Sequence, residues 1–324
     1  MTVTELRPLS LGELLDRTFS YYRSHFWVFV GIMAVPQVFL VGVDLLRQAL
    51  TRPGSIVGVN SQRSEEQFLT LGVGVIVGVV IVAVAYAFAY AAALGATTFA
   101  LSRLHLGQSA TIRGAYQSMR GHIWRLLKLL ALVWLWIFGP FVLVGVGVGV
   151  AVAGLPVAAS GTRILAALLL VGLFVLAVPL AIWMALRYGV AVPALLLENL
   201  TARQALKRSA LLTQGYKGRL FLIGFLMTLI AAVVALVFEG PLSVALAMLA
   251  SKGGQISAWL LAAISVAGSL SRALSGPLLT IGIALAYYDL RVRKEGFDLQ
   301  LMVAALGDAG PAPPSSAPDA AAPS

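Results

Sequence analysis

The sequence predicts an all-α, polytopic membrane bundle of about six transmembrane helices, joined by three amphipathic helices at the membrane interface. Three observations lead there. Of 324 residues, 60% are apolar and only 11% charged, against roughly 45–50% and 25% in a soluble domain. The apolar residues come in long blocks, several beyond the roughly 18 uncharged residues that suggest a span. Short polar segments between the blocks carry helix signals, a Ser or Thr followed by apolar residues at i, i+3, i+4 and i+7. Lipid offers the backbone no partner, so runs this long and continuous form helices rather than barrel strands.

The first element is amphipathic. In SLGELLDRTFSYYR the stripe is Leu11, Leu14, Leu15, Thr18 and Tyr22, and Ser10 with Glu13 completes a capping box. Spans follow from about Phe26 to Leu46 and from Leu69 to Thr98. In TIRGAYQSMRGHIWR the stripe after Thr111 is Ile112, Ala115, Tyr116, Met119 and Ile123, ahead of spans from Leu126 to Val152 and Ile164 to Leu186. In TARQALKRSALLTQGYKGR it is Ala202, Ala205, Leu206, Ser209 and Thr213, with Thr201 and Gln204 as a second capping box. Spans from Leu220 to Phe238 and Ser265 to Tyr288 complete the set.

Ser10, Thr111 and Thr201 stand 101 and 90 residues apart, which predicts three units of interfacial helix plus transmembrane hairpin at about 10–101, 111–193 and 201–290. These units make up a membrane domain over residues 1–306. Residues 307–324 read as a disordered Pro/Ala-rich tail. The first 24 residues carry Arg7, Arg17 and Arg23 without a signal-type apolar core, so the N-terminus is expected to be retained. The run from Pro241 to Ile264, broken by Lys252, Gly253 and Gly254, reads as two short interfacial or re-entrant helices. The GxxxG spacings Gly74–Gly78 and Gly145–Gly149 predict close packing within the chain.

The net charge is +10, which in a soluble protein would raise the question of nucleic acid. Here position answers it. Seventeen of the 23 Lys and Arg fall beside one set of alternate connections, leaving Arg47, Arg52, Arg63, Arg163, Lys252 and Arg272 for the other. The positive-inside rule then places both termini in the cytoplasm. The excess charge is expected to meet anionic lipid headgroups there, and no nucleic-acid partner is expected.

Several function classes lack their residues. Cysteine is absent, which removes disulfides, thiolate nucleophiles and Cys-ligated metals. His25, His105 and His122 fall at the cytoplasmic interface without an HExxH or a third ligand. There is no P-loop and no GxSxG elbow, and Asp44 and Asp289 belong to opposite faces, too far apart for a shared-proton dyad. The carrier signature PxDxx[KR] is missing, since Gln37, Val38 and Phe39 follow Pro36. Few ionisable groups lie at mid-membrane, which weakens an ion-coupled pump. No catalytic residue, cofactor or metal is expected.

Three clusters remain. Tyr288, Asp289, Arg291, Arg293, Lys294, Glu295 and Asp298 stand where the last span leaves the membrane, with Tyr287 completing an aromatic pair. They read either as a docking site for headgroups or a soluble partner, or as a helix stop with an aromatic belt. Glu198 follows Pro193 in VAVPALLLENL, and facing Arg203, Lys207 or Arg208 it would anchor the next helix or sit at a ligand site. Glu239 and Arg272 share a depth near the outer interface and could form an ion pair, or snorkel separately.

LRPLSLGELLDRTFSYYRSHF, LRYGVAVPALLLENLTARQALKRSALLTQG and YYDLRVRKEGFDLQLM together resemble the bacterial glycerophosphoryl diester phosphodiesterase membrane domain family. The resemblance spans nearly the whole chain apart from the tail. It implies a six-helix protein of the bacterial cytoplasmic (inner) membrane. The phosphodiesterase barrel that names the family is not expected here, because the soluble stretches between the spans are short, so that activity does not carry over. The function expected from the whole is a non-enzymatic scaffold or interaction protein at the cytoplasmic membrane surface, with lipid and a membrane or soluble protein as partners. The alternative is a translocator of lipid or a small solute; a membrane enzyme acting on headgroups comes third.

Overall fold

A computed structural model describes residues 9–50, 65–153, 160–252 and 257–296. The expected tail, Asp298, Gly253 and Gly254 lie outside the described residues. Among the described residues the secondary structure is helical, with no strand. In chain order the helices are α1 (Leu11–Ser24), α2 (Phe26–Leu50), α3 (Glu65–His105), α4 (Ile112–Met119), α5 (Ile123–Ala153), α6 (Ser160–Tyr188), α7 (Ala191–Leu197), α8 (Ala202–Thr213), α9 (Lys217–Ser251) and α10 (Ala258–Glu295). Six segments are long and apolar enough to cross a membrane, drawn from α2, α3, α5, α6 with α7, α9 and α10. The protein is a multi-pass helical membrane bundle.

α1, α4 and α8 start at the Ser and Thr that signal them. Ser10 Oγ accepts the Glu13 N–H at 3.2 Å while Glu13 Oε2 accepts the Ser10 N–H at 2.7 Å. Thr111 Oγ1 accepts from Gly114 N–H at 3.2 Å, and Gln204 Oε1 accepts the Thr201 N–H at 3.0 Å. Each satisfies N–H groups that a helix start leaves free. Their apolar stripes turn inward. Leu14, Ala115 and Leu212 join one buried cluster with Phe29, Ala96, Ile223 and Leu285.

The core therefore sits at one end of the bundle, where the short helices wedge between the ends of the spans. This is the end that carries most of the Lys and Arg. Close approach makes the wedge possible: Gly95 leaves room for the Met119 side chain, and Gly31 for Ile112. Away from this end the spans present apolar side chains outward, among them Trp134, Leu143, Leu176 and Leu236. In lipid such exposure carries no hydrophobic penalty.

α10 is the central helix, packed along α9 and α2 and touching α1, α3, α7 and α8. α5 and α6 pair with each other and join the rest chiefly through α3, α7 and α8.

Two expectations are corrected. The segment from Pro241 to Ile264 forms no separate helices among its described residues: α9 runs through Pro241 to Ser251 and α10 begins at Ala258. A proline removes one helical hydrogen bond, which a continuous apolar helix tolerates. The two helices reach about 52 and 57 Å at 1.5 Å per residue, beyond the roughly 30 Å hydrocarbon layer. Pro193, in the apolar run after the fourth span, occupies the first turn of α7 after a break at Gly189 and Val190, where its missing N–H has no helical partner to lose. A Cβ added at Gly78 or Gly145 would meet nothing within 4 Å, so these GxxxG glycines face open space rather than a neighbouring helix.

Candidate functional site

The charged end of α10 enters the core at Asp289, whose side chain is 1% exposed. Asp289 Oδ1 accepts the backbone N–H of Leu9 at 2.8 Å. Arg293 Nε donates to Oδ2 at 2.9 Å, and Arg219 Nη2, from the start of α9, lies 3.2 Å from the same oxygen. Both guanidinium groups also donate to the Leu9 carbonyl, Arg219 at 2.7 Å. One buried carboxylate and two arginines thus hold both backbone groups of the residue before the α1 cap. A buried charge is tolerated when it is paired and hydrogen-bonded in this way.

One turn away stands a second cluster. Glu198, at the end of α7, accepts from Arg208 Nε at 3.0 and 2.9 Å through its two oxygens. The Tyr287 hydroxyl donates to Glu198 Oε1 at 2.6 Å. Arg208 Nη2 reaches Glu295 Oε2 at 2.8 Å. Arg291 Nε lies 3.3 Å from Glu295 and 3.8 Å from Glu198. Two carboxylates and two guanidiniums alternate, so the cluster is charge-balanced. Hydrogen bonding to Glu295 and then to Glu198 raises the Arg208 pKa against the opposing effect of burial.

Of the three cations expected to face Glu198, the structure selects Arg208. Arg203 and Lys207 point to the exposed side of α8. That helix is fixed further by Ser209 and Thr213, whose hydroxyls donate to the Arg187 carbonyl at 2.9 and 3.3 Å, at the end of α6. Lys294 Nζ donates to the Leu211 carbonyl in the last turn of α8. Arg125 of α5 donates to Asn199 Oδ1 at 2.7 Å. Asn199 has φ 52°, a left-handed conformation that Asn accepts better than most residues, and it turns the chain from α7 into α8.

The two tyrosines do not form an interfacial belt. Tyr287 is fully buried, because its hydroxyl finds a carboxylate inside the core. Tyr288 is half-buried, donates to Ser102 Oγ at 3.3 Å and stacks on His105 with ring centroids 5.0 Å apart. The Tyr21 hydroxyl lies 3.1 Å from His105 Nδ1. His105, itself half-buried, therefore links α1 and α10 at the end of α3.

At the far end Arg272 Nε donates to Gln37 Oε1 at 3.2 Å. Among the described residues it makes no ion pair with Glu239. The Glu239 carboxylate rests against Gly268, where an added Cβ would meet it at 3.1–3.2 Å. Gly268 and Arg272 are one helical turn apart, about 6 Å. The shared depth was legible, but the direction of each side chain was not. Nearby, Ser265 donates to Asp44 Oδ2 at 3.0 Å and Gln48 Nε2 to Ser265 Oγ at 3.4 Å. These contacts form a polar seam between α2 and α10.

The site thus brings together Glu198, Arg208, Tyr287, Arg291 and Glu295 in one cluster and Asp289, Arg293 and Arg219 in another. Leu9, Arg219, Asn199, Ser102 and Gln37 take part in these contacts without having been site candidates from the sequence. A lone Gln in the apolar run of α2 was the one available signal, since a polar side chain in a span usually bonds another helix. Chemically, the carboxylates Asp289, Glu198 and Glu295 each accept from at least one arginine, so the arrangement fastens helices to one another.

Fold and site define a multi-pass helical membrane protein whose spans are clamped at the basic end. No family model, curated protein or solved structure matches the chain.

Proposed function

We propose that the protein is a non-enzymatic scaffold of the bacterial inner membrane, with its clamped, basic end facing the cytoplasm and engaging an acidic partner protein there. The supporting observation is a division of labour among the charges. The cations of the C-terminal motif are bonded inside the molecule. In contrast, Arg113 and Arg120 around α4 and Arg203 and Lys207 on α8 are exposed and form no ion pair among the described residues. A rigid base that presents unpaired cations suits recognition of an acidic surface, where complementary charge speeds association and sets orientation.

The resemblance to the glycerophosphoryl diester phosphodiesterase membrane domain family supports the same reading. The three passages that carry it contribute Leu9, Glu198 with Arg208, and Tyr287 to Glu295, which meet in the clamp. Translocation has less support, because Gln37, Asp44, Gln48, Ser265 and Arg272 bond one another across the α2–α10 seam.

Photo-crosslinking in cells of the source organism tests the proposal. A photoreactive residue at Gln117 or Lys207, both exposed, should give a discrete protein adduct, whereas one at Trp136 on the outward face of α5 should give none. No adduct at either basic-end position, or the same adducts from all three, would overturn it.

A further inference from the structure

Beside α8 the basic end holds a cavity of about 520 Å³ that the clamp does not use. Lys128, Ala131, Leu132 and Leu135 of α5 form one wall, and Thr201 and Arg203 at the start of α8 form the other. The α5 residues follow the i, i+3, i+4, i+7 spacing, so they line one stripe that descends about 10 Å from Lys128 to Leu135. Lys128 is five residues from the start of α5, near the basic end of a segment, Ile123–Gly147, that is apolar enough to span, and Leu135 lies further along it. The opening is cationic and the wall below it is aliphatic.

We propose that this groove is a binding site for a phospholipid with a net anionic headgroup. The phosphate would sit between Lys128 and Arg203, and an acyl chain would run along Ala131, Leu132 and Leu135. Charge decides the headgroup class. Among the described residues, Lys128 and Arg203 are exposed and form no ion pair, and no carboxylate lines the cavity. Glu198, the nearest acid in sequence, is held by Arg208 and Tyr287. The N-terminal end of the α8 dipole adds partial positive charge at the same edge. A zwitterionic lipid would bring its ammonium group to two cations without an acid to receive it.

The clamp builds the groove. Arg125, one turn before Lys128 on α5, holds Asn199 in the turn that leads into α8, and Arg208 ties α8 to Glu198 at the end of α7, so the start of α8 is positioned beside α5. The site goes beyond the scaffold reading and does not rest on it, because a bare bilayer supplies the ligand.

Native mass spectrometry of the full chain tests the site, with phosphatidylglycerol or phosphatidylcholine titrated into the detergent-solubilised protein. Phosphatidylglycerol should be retained about tenfold more tightly, as expected for one or two cations acting at a membrane surface. K128Q/R203Q should abolish the preference, and A131F, which narrows the groove while keeping both cations, should weaken it. R113Q/R120Q removes the same charge elsewhere on the basic end and should leave the preference intact. Equal losses in the two double variants would mean diffuse attraction and overturn the site. So would the absence of any preference, or displacement of the lipid by equimolar glycerol phosphate, which has the headgroup chemistry without the chains. Failure here leaves crosslinking at Gln117 and Lys207 unaffected, so the two readings fall separately.

Discussion

The buried carboxylate of Asp289 accepts the backbone N–H of Leu9 at 2.8 Å, joining positions 280 residues apart in the chain. Arg219 and Arg293 complete the contact by binding the Asp289 carboxylate and the Leu9 carbonyl together. The start of α1, the start of α9 and the end of α10 are thereby held at one point.

Removing the acid leaves two guanidiniums crowded together and a buried N–H without a partner. D289A should destabilise the protein by about 3–5 kcal/mol, the range for breaking a buried ion pair from one side. Thermal unfolding in detergent measures it, and a change within that of exposed-site controls such as R120Q would contradict the assignment.

Glu198 and Tyr287 share a 2.6 Å hydrogen bond within the second cluster. Y287F should cost about 1.5–3 kcal/mol, as for a bond to a charged acceptor. In E198Q the same substitution should cost clearly less, since contacting partners do not act additively. Full additivity in that cycle would mean that the hydroxyl and the carboxylate act independently.

The clusters differ in how far the sequence revealed them. Capping residues, amphipathic stripes and the six apolar blocks were legible because they depend on neighbours within one or two turns. Glu198 as an anchor for α8 was legible too, since a loop of a few residues limits where α8 can lie. Leu9 with Asp289, and Arg219 with both, depend on how distant helices come together, and no local pattern encodes that. For the same reason Tyr287 looked interfacial: its position beside the last charged turn was clear, whereas its orientation into the core was set by Glu198.

Arg272 bonds Gln37 and not Glu239. Substitutions E239Q and R272Q should therefore be additive within about 0.5 kcal/mol, whereas Q37A and R272Q should show coupling. Unfolding free energies of the two cycles check this, and the reverse pattern would restore the ion pair.

Tyr22 and Tyr116 donate to the carbonyls of Leu274 and Ile32, each at 2.8 Å. Burial pushes each phenol up to about 12 from its usual 10. A folded pKa above the unfolded one favours the protonated, folded form, so this contribution is fully present below pH 10 and lost as pH rises through 12. Unfolding temperatures should fall over that window in the wild type and fall less in Y22F/Y116F. Parallel pH profiles would contradict the burial of these hydroxyls.

The clamp itself is tested most directly by hydrogen exchange, comparing wild type with D289A in a peptide that spans the start of α1. If the C-terminal motif fastens the N-terminal helix, the Leu9 amide should be protected in the wild type and exchange freely in D289A, while the α5 and α6 amides keep their protection. Equal protection of Leu9 in both proteins would contradict the account.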